Sequence, residues 1–258
     1  MEDGGARPLL RVRLAVPRPP SPEGARGGGP GRQGPRRPTC APRAPAYLRA
    51  MVAVLLVCAY LLGAIPFSLV VARARGVDLR AHGSGNAGAT NALRVMGRGP
   101  GALVFALDFL KGLVASLVLP ELLLDAPAEW TRVASGAAAM VGHVVTIWGA
   151  LFFGGWKGGK GVATGAGMLT GLVPLAVLAG VTVFAVTVAA TRLVSLGSIL
   201  AALTVPVSLA VRQFGLGHAV DPAIWAFGAA VPLFIVWTHR ENVRRLLDGT
   251  EARVSDPA

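Results

Sequence analysis

Apolar runs long enough to form membrane-crossing helices fill most of the chain after residue 50, and short polar connections separate them. The first run, 51–71, carries no charge and is long enough for a helix to cross ~30 Å of hydrocarbon. Further runs occupy 101–119, 133–153, 162–190, 193–211 and 222–237. The pattern predicts an all-α integral membrane protein.

The run 162–190 determines how many helices cross. It would form a helix of about 44 Å, longer than one crossing, so it is either one tilted helix or a hairpin. Basic residues place the connections 73–98 and 154–161 and the carboxyl-terminal tail on the cytoplasmic side. Only a hairpin broken at Gly171 and Pro174 puts all three of these segments on the cytoplasmic side. We therefore expect about seven transmembrane helices, the amino terminus outside, the carboxyl terminus cytoplasmic, and one short or partly crossing helix after 154–161.

Composition supports this class of protein. The chain is 53% hydrophobic and only 15% charged, with a mean hydropathy of +0.58, so a water-soluble enzyme is excluded. The formal charge of +12 resembles that of a nucleic-acid binder. However, residues 1–50 hold ten arginines and three acidic residues, a net charge of +7, and the other basic residues orient the helices. We expect no nucleic-acid partner.

The head, residues 1–50, is rich in arginine, proline and glycine and has no apolar period, which predicts disorder. Two explanations are open. Either Met51 is the true first residue and the head comes from a mis-called start, or the head is a polybasic arm that binds anionic lipid. The rest divides into a membrane domain at 51–251 and a tail at 252–258.

The polar segment 82–94 is the first of three candidate phosphate-binding clusters. Gly83, Gly85 and Gly88 match a dinucleotide-binding spacing, but a membrane span precedes them instead of a strand, so that interpretation fails. Glycines nevertheless let the backbone approach an anion closely. The short donors Ser84, Asn86, Thr90 and Asn91 and the fork of Arg94 suit phosphate oxygens. The alternative is a polar turn that caps a helix.

The second cluster, 154–164, contains Lys157 and Lys160 among glycines at the start of an apolar helix. Gly161 stands where a nucleotide-binding P-loop needs Ser or Thr for magnesium, so a P-loop is a poor match. Glycine amides, lysines and a helix amino terminus together still favour an anion. The alternative is a flexible linker whose lysines contact lipid headgroups.

The third cluster follows the last apolar run and contains His239 and Asn242. A basic stop-transfer tail explains its arginines but not this pair. Ser195 and Ser198 share one side of another helix and either donate to phosphate or cap and pack.

Two features inside the apolar runs are expected to be structural. Asp108 and Lys111 are expected to form an ion pair inside the second span. His143 in the third run has no partner that indicates a ligand site, so core packing is expected.

The three clusters resemble the motifs of the bacterial acyl-phosphate:glycerol-3-phosphate acyltransferase family, in the same order and at similar spacing. They read GSGNAGATNALR at 83–94, KGGKGVAT at 157–164 and HRENVRRLLDGTE at 239–251. The resemblance covers about 51–251. It departs at 144–156, which is longer than its counterpart in the family and lacks a proline.

The resemblance implies transfer of a fatty acyl group from acyl phosphate to the sn-1 hydroxyl of glycerol 3-phosphate. The products are 1-acylglycerol 3-phosphate and inorganic phosphate, at the cytoplasmic face of the bacterial inner membrane. It also implies catalytic roles for Ser84, Arg94, His239 and Asn242. The substrate-binding residues that it implies are Asn86, Gly88, Thr90, Asn91, Lys157, Gly158, Gly159, Lys160, Gly161, Ser195 and Ser198.

Acyl phosphate is an activated mixed anhydride, so we expect no metal, cofactor or covalent nucleophile, and membrane lipids are the remaining partners. His239 either acts as a general base or only orients a substrate. A phosphate-ester transporter is the first alternative, but the repeat symmetry expected of one is missing. A lipid-binding scaffold, the second, would leave the placement of serine, asparagine and histidine unexplained.

Overall fold

The computed structural model describes residues 45–254. The predicted disorder of the head therefore lies, up to residue 44, outside the described residues. The first helix begins at Ala46, so the boundary predicted after residue 50 falls inside a helix.

The described residues form twelve α-helices and two π-helical turns, and they contain no β-strand. The π-helical turns are Val114–Val118 and Val211–Gly215. The helices are α1 (Ala46–Gly63), α2 (Phe67–Ala74), α3 (Ala89–Met96), α4 (Arg98–Leu113), α5 (Leu119–Leu123), α6 (Glu129–Val144), α7 (Ile147–Phe153), α8 (Val162–Leu172), α9 (Pro174–Thr191), α10 (Val194–Ala210), α11 (Pro222–Thr238) and α12 (Arg240–Leu247).

Within 45–254, four helical segments are long and apolar enough to cross a membrane. They are Ala46–Ala74, Arg98–Leu123, Pro174–Thr191 and Val194–Gly215. A fifth is obtained if α11 and α12, which are bent by 66°, count as one span. The seven spans and the orientation of the termini stay predictions.

The first span bends after Gly63, at Pro66. Helix α1 ends at Gly63 and Pro66 has no amide hydrogen, so carbonyls of this turn are open to donors from other segments. Three side chains donate to them: Trp148 Nε1 to Leu61 O at 2.9 Å, Thr146 Oγ1 to Ala64 O, and Lys111 Nζ to Ile65 O at 2.9 Å. The bend is therefore held by hydrogen bonds from α4, from α7 and from the connection between α6 and α7.

The third apolar run, 133–153, was predicted to be one continuous span, and that prediction is wrong. Helix α6 ends at Val144, and α7 begins at Ile147. Between them Val145 forms an isolated antiparallel bridge with Lys157, and the Thr146 hydroxyl accepts a hydrogen bond from Gly149 N–H at 2.9 Å. The break exists because these two residues bond to neighbouring segments instead of continuing the helix.

The predicted short helix is confirmed as α8, an apolar helix of 11 residues that ends before Pro174. It packs against α4 so closely that a Cβ at Gly112 would lie 2.0 Å from Thr164 O. Met140 of α6, Met168 of α8 and Ile235 of α11 belong to one buried apolar cluster. This packing fixes the lysine-containing segment 154–161 relative to α6 and α11.

Candidate functional site

A cavity of ≈ 410 Å³ lies where the three polar clusters meet. Most of the predicted site residues line it: Ser84, Asn86, Gly88, Thr90, Asn91, Arg94, Lys160, Gly161, Ser195, Ser198, His239 and Asn242. Lys157, Gly158 and Gly159 do not. The cavity thus brings together segments that lie far apart in the sequence, while the binding role of each residue stays a prediction.

The segment 83–91, here called the serine loop, is shaped by Asn91 at the start of α3. The buried Asn91 side chain accepts from Ser84 N–H at 2.9 Å and donates to Leu79 O and His82 O, both at 3.1 Å. Its hydrogen-bonding groups are therefore used within the loop. Gly88 is the N-cap residue of α3 and no side chain caps this helix, so the helix-capping alternative does not describe the loop.

Arg94 leaves α3 toward the cavity. Its Nε is buried and has no hydrogen-bond partner among residues 45–254. A buried guanidinium N–H without an acceptor is costly, and a phosphate oxygen in the cavity would satisfy it.

Lys160 ends the segment 154–160, here called the lysine loop. Its ammonium donates to Asn242 Oδ1, and its main-chain carbonyl accepts from Thr238 Oγ1 at 3.1 Å. Burial lowers the pKa of Lys160 to about 8, and the positive charge of Arg245 acts in the same direction against the opposing effect of Glu251. The ammonium is therefore partly desolvated but still mostly protonated at neutral pH.

Lys157, predicted to bind substrate, points away from the cavity. Its side chain is 76% exposed and lies 3.8 Å from the Glu241 carboxylate. The two lysines of the motif are therefore not equivalent.

Gly158 and Gly159 were predicted to bind anions through their amides, and the structure places those amides elsewhere. Gly158 N–H donates to Val144 O at 2.9 Å, and Gly159 N–H donates to His143 O at 3.1 Å. A Cβ at Gly158 would lie 1.9 Å from His143 O. These glycines allow the lysine loop to approach the end of α6 closely, and their hydrogen bonds also exclude the flexible-linker alternative.

His239 lies at the junction of α11 and α12 and is only 3% exposed. Its Nδ1 is 2.8 Å from Ile235 O, and a carbonyl can only accept, so Nδ1 carries the proton and Nε2 is left as an acceptor. Burial, reinforced by the charge of Lys160, lowers the pKa of His239 to about 4. The imidazole is thus neutral at physiological pH and only a weak base, and this weak basicity favours an orienting role over that of a general base.

Glu251 belongs to the cavity but was not predicted. It accepts hydrogen bonds from Asn242 Nδ2 and, at 2.7 Å, from Arg245 Nε. Burial alone would raise the pKa of this carboxyl, but Ser195, Asn242 and Arg245 together hold it below its usual value. The segment 248–254 folds back over α12, and Val254 N–H donates to Arg192 O at 2.9 Å.

One ion pair and two further residues inside the apolar runs complete the site. Asp108 and Lys111 form the expected ion pair, with 2.8 Å between carboxylate and ammonium. His143 is buried, as expected, but it also has a polar partner in Asp108, and both residues line the cavity. Ser198 lines it too, but its hydroxyl donates to Val194 O at 2.9 Å.

The cavity is lined by cationic, polar and apolar side chains. Arg94, Lys160 and Arg245 contribute positive charge, whereas Phe105 and Phe184 belong to the apolar helices α4 and α9. Within the described part of the chain, no group of three or more histidine, cysteine, aspartate or glutamate side chains could hold a metal ion. The arrangement suits a phosphate-bearing molecule that carries an apolar chain. The fold and site therefore define a helical membrane protein with a cavity lined by cationic, polar and apolar side chains.

Comparison with known proteins gives the family. The glycerol-3-phosphate acyltransferase family model matches residues 53–249, so the chain belongs to this family. A glycerol-3-phosphate acyltransferase of Geobacter sulfurreducens is 45% identical over 202 residues, covering 78% of this chain and 96% of the relative. One from Pelodictyon phaeoclathratiforme is 40% identical over 233 residues, covering 80% of this chain and 97% of the relative.

Two solved structures are also similar. The glycerol 3-phosphate form of PlsY (YgiH), an integral membrane glycerol 3-phosphate acyltransferase, is 38% identical with a TM-score of 0.67. The lysophosphatidic acid form is 37% identical with a TM-score of 0.65. Each comparison covers 78% of this chain and 94% of the solved chain. The protein is thus an all-helical integral membrane member of an acyltransferase family.

Proposed function

We propose that the protein transfers a fatty acyl group from acyl phosphate to the sn-1 hydroxyl of glycerol 3-phosphate. The products are 1-acylglycerol 3-phosphate and inorganic phosphate, and the reaction begins phospholipid synthesis. The observation that carries the proposal is the cavity that cationic groups of three separate motifs line together with apolar side chains. Such a cavity suits two phosphates and one fatty chain.

The reaction needs no covalent intermediate. The glycerol hydroxyl oxygen attacks the acyl carbon, the bond between that carbon and the phosphate oxygen breaks, and the hydroxyl proton leaves with the departing phosphate. Arg94 and Lys160 bind the phosphates and stabilise the negative charge that develops. The Ser84 hydroxyl donates a hydrogen bond to a phosphate oxygen. Asn242 holds the Lys160 ammonium beside the same phosphate.

His239 orients the acceptor substrate. Its Nε2 is free to accept a hydrogen bond from a glycerol hydroxyl because Nδ1 is committed to Ile235. A pKa of about 4 makes the imidazole a poor proton acceptor at neutral pH, so phosphate takes the proton.

The setting is the bacterial inner membrane, with the cavity open to the cytoplasm and about seven helices crossing. Arg75 and Arg80 lie in the same connection as the serine loop, and Arg73 lies in the last turn of α2 beside it, which supports this orientation by the positive-inside rule.

The decisive experiment is an assay of the purified protein with palmitoyl phosphate and glycerol 3-phosphate. Phosphate release is followed with a chelator present and without acyl-CoA, and the position of the acyl group is read by NMR. We expect release that depends on both substrates and a 1-acyl product. At glycerol 3-phosphate concentrations below the wild-type KM, release no greater than that of a Lys160→Ala variant would refute the proposal.

A further inference from the structure

A chain of buried polar contacts runs from the bend of the first span to the cavity. Lys111 Nζ is 2.9 Å from Ile65 O and 2.8 Å from Asp108 Oδ1, and Asp108 Oδ1 is 3.5 Å from His143 Nδ1. The Asp108, Lys111 and His143 residues are all at most 7% exposed. Burying charged groups in this way costs several kcal/mol per ion unless the geometry is good, so a simple packing role does not account for the chain.

The His143 ring lies at the point where the serine loop and the lysine loop meet. A Cβ at Gly159 would lie 2.2 Å from His143 Nε2 and 2.9 Å from Ala87 O. The ring, the lysine loop and the serine loop are therefore in contact at one place. The main chain adds a second link, because His143 O accepts from Gly159 N–H at 3.1 Å.

These contacts form a series that leads from Ile65 to Lys160. Lys111 is held by Ile65 O and in turn holds the Asp108 carboxylate, which faces Nδ1 of the imidazole. Gly159 packs against the opposite edge of the ring, at Nε2, and Lys160 is the next residue. Outer polar partners orient the groups that bind ligands in many sites by the same logic.

We infer that His143 is a positioning residue that sets the lysine loop against the serine loop and so places the Lys160 ammonium for phosphate. The inference rests on the proposed function. Asp108 acts through His143, and neither side chain needs to touch the substrate. Gly159 is required because only a residue without a side chain lets the loop reach the ring.

Kinetics of His143→Ala and His143→Asn test the inference. A misplaced loop weakens phosphate binding, so KM for glycerol 3-phosphate is expected to rise about tenfold or more in His143→Ala. His143→Asn keeps a donor facing Asp108 and is expected to recover part of that loss. A KM within about twofold of the wild type in folded His143→Ala would overturn the inference.

Ser135→Ala is the matched control. Ser135 is buried on the same helix and donates to Ala115 O at 2.6 Å, but it does not line the cavity. Its loss is expected to lower the melting temperature and leave KM unchanged. An equal rise of KM in this control would reduce His143 to a structural role and contradict the inference.

A second readout does not depend on activity. Competitive acetylation followed by mass spectrometry gives the reactivity of Lys160 relative to exposed Lys157 in the same sample. His143→Ala is expected to change this ratio several-fold, and Gly159→Ala, which displaces the loop from the opposite side, is expected to change it too. A constant ratio in both variants overturns the inference. If wild-type protein releases no phosphate, the proposed function fails, but the acetylation ratio still tests the positions of the loops.

Discussion

The Lys160 ammonium donates a hydrogen bond to the Asn242 side-chain oxygen, across 82 residues of sequence. The amide nitrogen of Asn242 donates to Glu251, which fixes the orientation of the whole amide. Two motifs thus meet in one contact, and the last residue of the second of them, Glu251, determines its direction. A phosphate that enters the cavity meets an ammonium that is already partly desolvated and oriented.

Replacing the two lysines should separate their roles. Lys160→Ala removes a charged donor at the cavity and is expected to raise KM for glycerol 3-phosphate by about 10- to 100-fold, the equivalent of ~1.5–3 kcal/mol. Lys157→Ala removes only an exposed pair with Glu241 and should change KM by less than about threefold. Steady-state kinetics under identical lipid conditions measure both. Equal losses would show that exposure does not distinguish the lysines.

The pH dependence of substrate binding should follow Lys160. With a pKa of about 8, its ammonium loses its proton as pH rises from 7 to 9, so KM for glycerol 3-phosphate should increase over that range. Arginine stays protonated there. Lys160→Arg is therefore expected to give a flat KM between pH 7 and 9, even if its absolute value is higher. A flat wild-type profile would contradict this assignment.

His239 should show no titration of its own near neutrality. Its pKa of about 4 keeps the imidazole neutral, so kcat should lack an acid limb between about pH 5.5 and 7.5. His239→Gln retains an acceptor and is expected to keep most of kcat, whereas His239→Ala should lose about tenfold, as for one hydrogen bond. An imidazole-like limb that disappears in His239→Gln would restore the general-base role.

Glu251 should stabilise the protein in a pH-dependent manner. Its folded pKa lies below its usual value, so its contribution is fully present above the unfolded pKa and is lost as pH falls below it. Glu251→Gln is expected to cost about 1–2 kcal/mol at pH 7 after solvent screening, and less toward pH 4. Thermal unfolding in detergent measures this. Asp248→Asn, an exposed carboxylate on the same segment, is the control and should have little effect.

The bend of the first span should depend on Thr146. Thr146→Val keeps the shape of the side chain but leaves Ala64 O and Gly149 N–H without their partner, at a cost of about 1–3 kcal/mol. Thr182→Val removes only a bond to Leu178 O on an exposed face and should cost less than about 0.5 kcal/mol. Equal melting temperatures for the two variants would show that the bend is held by packing alone.

The sequence predicted the helical class, the short α8 and the polar segments that line the cavity. It could not predict the break between α6 and α7, because 133–153 has no Asp, Glu, Lys or Arg to interrupt it and the cause is a contact with Lys157, outside that run. Hydropathy records how a residue partitions into lipid. It does not record a hydroxyl that bonds to a carbonyl of another helix.

Within the site, the glycines show what motif chemistry leaves undecided. A glycine pair between lysines indicates either amides that bind an anion or a close approach of two segments of the chain, and the sequence is the same in both cases. The packing of Gly158 and Gly159 against His143 decides for the second. Glu251 was missed for a related reason, since its partners Asn242 and Arg245 bond to it only after the chain turns back beyond α12.

The position of Glu251 has a consequence for biogenesis. Synthesis runs from the amino terminus, so Glu251 emerges from the ribosome after every apolar helix, the last of which is α11. Asn242 and Arg245 therefore acquire their shared carboxylate only at the end of synthesis, when the order in which the helices leave the ribosome is already complete.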